Sequence, residues 1–362
     1  LTVAAIAQSV GSNKDFQAFL NLSEAVGSDI LKTQGAGGNT SAKFGGVMWV
    51  KASGTWLSQA KNRDIMVPVE VEPLVAALRD KDPRAEKATD FVVNELNSIG
   101  LRPSIETSFH AALQNTVVAH YHCVNAIALS VLKRREQILS ERMATVSDLT
   151  WATIPYRRPG TPLAREIDAV SGSLPDVLFL FNHGIIVGGR DVAEVSDRIR
   201  RVSEALACPS RDGGKPDVAA LSALAEGSEF QPASDLYSHK TALSQENLEF
   251  ALGGSLYPDH VIFLGSTVGL LQDGQSAAEF VERCSTESKE VPKLIAVPGK
   301  GVLVSKALTP GGLAMARCLA EVVARIPAGE AIEYLTPGDV YELTHWEAEQ
   351  YRQALDRKTN GH

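Results

Sequence analysis

The sequence predicts an α/β protein of two domains, and three observations carry that prediction. Short apolar, β-rich runs, Thr116 to His122 and Val177 to Asn182 foremost, have the length of buried strands. They alternate with stretches whose apolar residues return at helical spacing, from Asp15 to Lys32 and again from Asp191 onward. A segment rich in Pro, Gly and charge, Cys208 to Pro216, then divides the chain. Its 362 residues, at roughly 150 per domain, allow two to three domains.

In the first helix Phe16, Phe19, Leu20, Leu22, Val26, Ile30 and Leu31 form one face, and Gly35-Ala36-Gly37-Gly38 stops it. These glycines follow a helix rather than a strand, so they are not a dinucleotide fingerprint. After Asn39 to Lys43 and a Gly45-Gly46 turn, Val47 to Lys51 reads as a strand. Ile65 to Val71 reads as another strand and Glu72 to Arg79 as a helix. Ser104 is a good N-cap, which predicts a helix from Ile105 to about Asn115 before the strand Thr116 to His122. After Val177 to Asn182, Ile185 to Val187 continues as strand. Asp191 then opens a helix with Val192, Val195, Ile199, Val202 and Leu206 on one face. Beyond the linker, strands are expected at His260–Leu264, Leu294–Val297 and Gly301–Val304. Helices are expected from about Gly312 to Ile326 and, strongly polar, from about Gly338 to Arg357.

At 44% hydrophobic and 22% charged, the composition sets aside disordered, collagen-like and disulfide-scaffold classes. Thirty-five basic against 43 acidic residues leave a formal charge of -8, so no nucleic-acid partner is expected. An anionic substrate must be drawn in by local geometry, because the global field will not do it. No apolar run reaches the 18 or so residues of a membrane span, and Leu1 to Val10 lacks the pattern of a signal peptide. Cys123, Cys208, Cys284 and Cys318 are scattered, as in proteins of a reducing compartment. The expectation is a soluble, cytoplasmic protein with no membrane partner.

Eight histidines occur, and His120 and His122 fall in one expected strand. Side chains two apart on a strand share a face. The pair can present two imidazoles to one metal ion, or be satisfied core or surface histidines. His183 precedes Gly184, where a strand ends and a ligand can approach the backbone; a hydrogen-bonded turn histidine fits equally. Glu106, in the first turn of the expected helix, is a fourth candidate ligand, or an acid complementing the helix dipole. Three imidazoles and one carboxylate suit zinc, with a position for substrate if the carboxylate can leave. His110, four residues beyond Glu106 on the same helical face, reads as support from behind the ligands or as packing, with direct chemistry as a further reading. Tyr121 and Cys123 alternate to the opposite face and read as core.

Five segments occur in order over about residues 15 to 206: Gly38-Asn39-Thr40-Ser41, Lys51-Ala52-Ser53-Gly54, Pro103-Ser104-Ile105-Glu106-Thr107 with His110, His120-Tyr121-His122 and Asn182-His183-Gly184. Together they resemble the class II aldolase/adducin family, best known for fuculose-phosphate and rhamnulose-phosphate aldolases. Pro258-Asp259-His260, Pro298-Gly299-Lys300-Gly301 and Trp346-Glu347-Ala348-Glu349-Gln350 add a finer likeness. They resemble the aldolase half of proteins that fuse a rhamnulose-1-phosphate aldolase to a short-chain dehydrogenase.

The resemblance implies a three-layer α/β/α domain with a central, mostly antiparallel sheet at residues 1–209. A smaller C-terminal α/β domain would occupy 210–362 and shape substrate access or assembly. The resemblance also implies zinc, or another divalent metal, on His120, His122 and His183, with Glu106 as resting ligand and catalytic carboxylate. Its phosphate site falls on Asn39, Thr40, Ser53, Gly54 and Ser104, where Gly-rich turns offer backbone amides and Lys43 or Lys51 could add charge. The family's second serine before the glutamate is Ile105 here. Relatives take a proton-donor tyrosine from a neighbouring subunit, and no motif selects Tyr121, Tyr156, Tyr237 or Tyr257 for it. A homo-oligomer, a tetramer by resemblance, is expected.

The implied function is that of a class II, metal-dependent aldehyde-lyase of carbohydrate metabolism. It would cleave a rhamnulose- or fuculose-phosphate-like ketose 1-phosphate to dihydroxyacetone phosphate and an aldehyde, through a metal-stabilised enediolate. Glu106 would move the hydroxyl proton. Epimerisation or decarboxylation of a sugar phosphate on the same metal site is an alternative. A non-catalytic, adducin-like interaction protein is another, but a scaffold has no need of this ligand set.

Overall fold

The computed structural model describes residues 14–347 together with Gln350, Ala354, Leu355 and Arg357. The described residues divide into two compact units, one of 14–126 with 136–207, the other of 127–135 with those from 208 on.

The first unit is built on seven strands: β1 (Asn39–Phe44), β2 (Val47–Lys51), β3 (Met66–Glu70), β4 (Val117–Tyr121), β5 (Trp151–Ile154), β6 (Val177–Leu180) and β7 (Gly184–Gly189). They lie in the order β3-β2-β1-β4-β7-β6-β5. Only β5 and β6 pair parallel; the other pairings are antiparallel. Helices cover both faces, which gives the expected α/β/α layering. On one face Met48, Val50, Val67, Val69, Val118, Leu178, Leu180 and Ile186 form a core with Leu74, Leu78, Phe109, Leu163 and Ile167. The helical residues of that core come from Val71–Arg79, Thr107–Ala112 and Thr161–Ser171. On the other face the helices Lys14–Ser28 and Val192–Ala205 pack against β1, β4 and β7. Asp191 caps the second of these by accepting from Glu194 N at 2.8 Å, and Val195, Ile199, Val202 and Leu206 are buried as the spacing predicts.

The helix expected from Ile105 to Asn115 is shorter, Thr107–Ala112. Ser104 does not cap it directly. Its Oγ accepts from Glu106 N at 3.2 Å, which folds Ser104–Glu106 into a turn ahead of the helix. The first helix likewise ends at Ser28, before the glycines that were expected to stop it. The edge strand β5 and the helix Thr161–Ser171 lie in a stretch to which the sequence assigns no element.

The second unit has a four-stranded sheet of β8 (Phe230–Pro232), β9 (Gly269–Leu270), β10 (Leu294–Val297) and β11 (Gly301–Ser305), in the order β8-β11-β10-β9. Leu221, Ala225, Phe280 and Cys284 of the helices Val218–Ala225 and Ala277–Thr286 pack with Phe230, Ile295, Val297 and Leu303 of the sheet. The helix Pro310–Val323, capped by Thr309, is buried along most of its length. His260–Leu264, expected as a strand, is instead a π-helix with all five residues buried. A short continuous apolar run does not distinguish a strand from a buried helical turn. The polar helix expected from Gly338 is observed as Pro337–Thr344; most of the stretch from 348 to Arg357 lies outside the described residues.

Leu178 is 1% exposed in the sheet core of the first unit, so Leu178→Ala should lower unfolding free energy by about 2–5 kcal/mol in urea titrations. Lys43 Nζ donates to the carbonyls of Leu113 and Asn115 just past the Thr107–Ala112 helix. Burial holds that ammonium down to about 7, whereas in the unfolded chain it titrates near 10.4, as free lysine does (~10.4). Between these values the unfolded state binds more protons, so stability rises with pH across the window. The urea midpoint should therefore increase from pH 7 to 9.5 in wild type and increase less in Lys43→Met.

Candidate metal centre

Strand register brings the expected ligands together. His120 on β4 stands opposite Asn39 of β1 and Ile186 of β7. It lies two residues beyond Val118 and so shares the face of the helix-covered core. His122 follows the last β4–β7 pair, Tyr121 with Ile185. His183 lies in the link between β6 and β7, after Asn182 at φ 53°. Ring centroids are 5.1 Å apart for His120–His122, 4.9 Å for His120–His183 and 5.1 Å for His122–His183. One ring nitrogen from each lies within 4.8 Å of the others.

Gly184 makes this approach possible. A Cβ at that position would lie 2.7 Å from the Tyr121 carbonyl and 3.3 Å from both Cα and Cδ2 of His122. Any larger residue must displace the Tyr121 carbonyl and crowd His122, which is the physical content of the Asn-His-Gly segment.

Glu106 enters from the turn before the Thr107–Ala112 helix. Its Oε2 accepts from Asn39 Nδ2 at 3.0 Å, and the same amide donates to Ser104 Oγ at 2.5 Å. The other oxygen, Oε1, is 3.4 Å from Nε2 of His120 and 3.4 Å from Nε2 of His183. His120 Nδ1 is 3.0 Å from the Ile185 carbonyl. A carbonyl only accepts, so Nδ1 carries a proton, and Nε2 is the ring nitrogen turned toward Glu106.

Burial pushes His183 down to about 4 and His110 well below the ordinary imidazole range. Burial would raise Glu106, but His120 and His183 hold its carboxyl well below the usual carboxylate range. At neutral pH His183 therefore offers a lone pair and Glu106 a full negative charge. The three-histidine cluster can coordinate a divalent cation, and a buried anion beside imidazole lone pairs fits one well.

The remaining expected residues divide. Asn39 and Ser104 meet at the Glu106 carboxylate. Ser53 N donates to the Arg102 carbonyl and Ser104 N to the Lys51 carbonyl, so the Ser53–Gly54 turn lies beside Ser104. Thr40 is not brought to this group by its side chain: its hydroxyl pairs with Ser23 Oγ at 2.7 Å on the opposite face. Lys43 is engaged at the Leu113 and Asn115 carbonyls. Lys51, 2% exposed, instead donates to the carbonyls of Ala36 in the Gly-rich loop and Thr55 beyond Gly54. It ties together the two turns expected to hold phosphate. His110 stacks on Phe109 at 4.7 Å and pairs through Nδ1 with Ser41 Oγ at 2.8 Å. Phe109 in turn sets its ring against the edge of His120 at 5.5 Å.

Gln34, which no sequence pattern points to, is also at the site: its Nε2 donates to the Ile30 carbonyl at 2.7 Å and the His122 carbonyl at 3.4 Å. Among the described residues no helix is long and apolar enough to cross a membrane.

Among curated proteins, an uncharacterized oxidoreductase of Bacillus subtilis (strain 168), YuxG, is 31% identical over 180 residues, which are 46% of this chain and 25% of that protein. The chain thus matches about a quarter of that relative's length. Among solved structures, the N-terminal class II aldolase domain of a conserved protein from Thermoplasma acidophilum is similar. It has 24% identity and a TM-score of 0.46, over 54% of this chain and 92% of that one. An L-fuculose-1-phosphate aldolase from Thermus thermophilus matches at 14% identity and a TM-score of 0.36, over 54% of this chain and 92% of its own. The family described as Class II Aldolase and Adducin N-terminal domain matches residues 31–208, and that part of the chain is a domain of the class II aldolase/adducin superfamily.

Proposed function

We propose that the protein is a zinc-dependent aldolase acting on a ketose 1-phosphate such as a rhamnulose- or fuculose-phosphate-like sugar. The observation that carries this reading is the convergence of His120, His122 and His183 on one another, with the buried carboxylate of Glu106 3.4 Å from His120 and from His183. His120, His122 and His183 would hold the metal, with Glu106 as a ligand that substrate can displace. When bound, the ion supplies Lewis-acid stabilisation of the negative charge that develops on substrate oxygens.

The chain's own residues do the rest. Asn39 orients Glu106 through Oε2, leaving Oε1 to accept the substrate hydroxyl proton as the carbon–carbon bond breaks. The same carboxyl returns that proton in the reverse, condensing direction. Asn39, Ser104, Ser53 and the backbone around Gly54 and the Gly-rich loop form the phosphate cradle, with Lys51 as its cation. Thr40 contributes through its backbone, since its hydroxyl is engaged with Ser23. The finer likeness to dehydrogenase-fused aldolases belongs to this reading, as do a cytoplasmic homo-oligomer and the division at residues 209 and 210. Residues 210–362 would then shape substrate access or assembly; the metal cluster among the described residues is outside them.

Elemental analysis of metal-replete protein should find a divalent ion in wild type and little in a His120→Ala/His122→Ala variant. Wild type that takes up no metal sinks the reading. Glu106→Gln should retain metal yet lose turnover by about 10²–10⁴-fold, read as dihydroxyacetone phosphate released from ketose 1-phosphates. Full activity in that variant refutes its proton-transfer role. Metal uptake without such release, but with epimerised or decarboxylated product, moves the assignment to those reactions. Gly184→Ala should fold but bind metal more weakly, by on the order of 10-fold or more, because His122 is displaced.

A further inference from the structure

His122 is the first residue beyond the β4–β7 ladder. The β4–β7 ladder ends at the pair Tyr121 with Ile185, yet the histidine that follows must be fixed as firmly as His120 if both are to share one ion. Gly184 limits its position from one side only, by leaving room for it.

One fastening comes from the segment just before the Gly-rich loop. Val124 N donates to the Leu31 carbonyl at 3.0 Å, and Gln34 Nε2 donates to the His122 carbonyl at 3.4 Å and the Ile30 carbonyl at 2.7 Å. Gln34 is 1% exposed. Both partners are carbonyls, which only accept, so the amide nitrogen must face them and the side chain has one orientation. Its main chain is held as well, the Gln34 carbonyl accepting from Gly37 N at 3.0 Å. A buried amide at this place is not explained by core packing, since an apolar side chain of the same length would fill the space without a polar group to satisfy.

We propose that Gln34 is the positioning residue of His122, its amide fixing the histidine's main chain and hence the direction of its imidazole toward the metal ion. This rests on the reading of His120, His122 and His183 as metal ligands. Gln34 touches neither the ion nor the substrate; it acts through His122. Groups that orient metal ligands affect affinity and ligand geometry more than they affect folding.

The test uses Co2+ alone as the probe, titrated into metal-free full-length protein and followed by its visible absorption, alongside thermal melting of the metal-free protein. Gln34→Met keeps the length of the side chain and removes the donor. Its Co2+ affinity should fall by on the order of 10- to 100-fold and the visible band should change in shape, with a melting curve like wild type's. A folded Gln34→Met protein with wild-type affinity and an unchanged band overturns the proposal. If Gln34→Met does not fold, Gln34→Asn gives the same two outcomes, because it withdraws the amide by one methylene. Wild type that binds no Co2+ overturns the metal-site reading itself, and this proposal with it.

Discussion

A carboxylate buried without partners is among the most expensive groups a fold can contain, and Glu106, 6% exposed, is buried in the first unit. The structure supports it from two directions. Asn39 and Ser104 fix one side of the carboxylate turn, and the imidazoles of His120 and His183 stand on the other. Removing any one of these leaves charge or lone pairs stranded in a low-dielectric interior. The register Asn39 with His120 on neighbouring strands is therefore an electrostatic requirement as well as a feature of the sheet.

That requirement explains where the site sits in the fold. Val118 belongs to the apolar core and His120, two residues on, to the polar cluster, so β4 passes from packing to chemistry along a single face. Phe109 marks the same boundary on the helical side: its ring is part of the core and meets both His110 and His120. Core packing thereby sets the orientation of His120, and the rigidity of a close-packed interior passes to the histidine cluster.

Much of this was legible before any coordinates, for reasons that differ from residue to residue. The period of two put His120 and His122 on one side; the Gly after His183 read as room for a ligand, whereas the structure shows the Tyr121 carbonyl approaching there, 2.7 Å from where a Cβ would stand. Glu106 read equally well as a helix-dipole acid; only its position between Asn39 and the imidazoles separates the two meanings. Thr40 belonged to a motif, but strand alternation sends its hydroxyl to Ser23. Gln34 was invisible because its partner is 88 residues away, and a lone Gln beside a glycine run has no local signature. In the second unit β10 and β11 stood out as apolar runs around a Gly turn. The two-residue β9 carries no distinguishing period, and the apolar run His260–Leu264 read as a strand because a short run does not separate a strand from the buried π-helix it forms.

Whether one divalent ion is held by these three histidines can be decided by anomalous scattering at the zinc edge from crystals of zinc-loaded protein. A single strong anomalous peak is expected among His120, His122 and His183, with a nitrogen of each about 2.0–2.1 Å away. A peak elsewhere in the chain, or none in zinc-loaded crystals, is incompatible with a three-histidine metal centre.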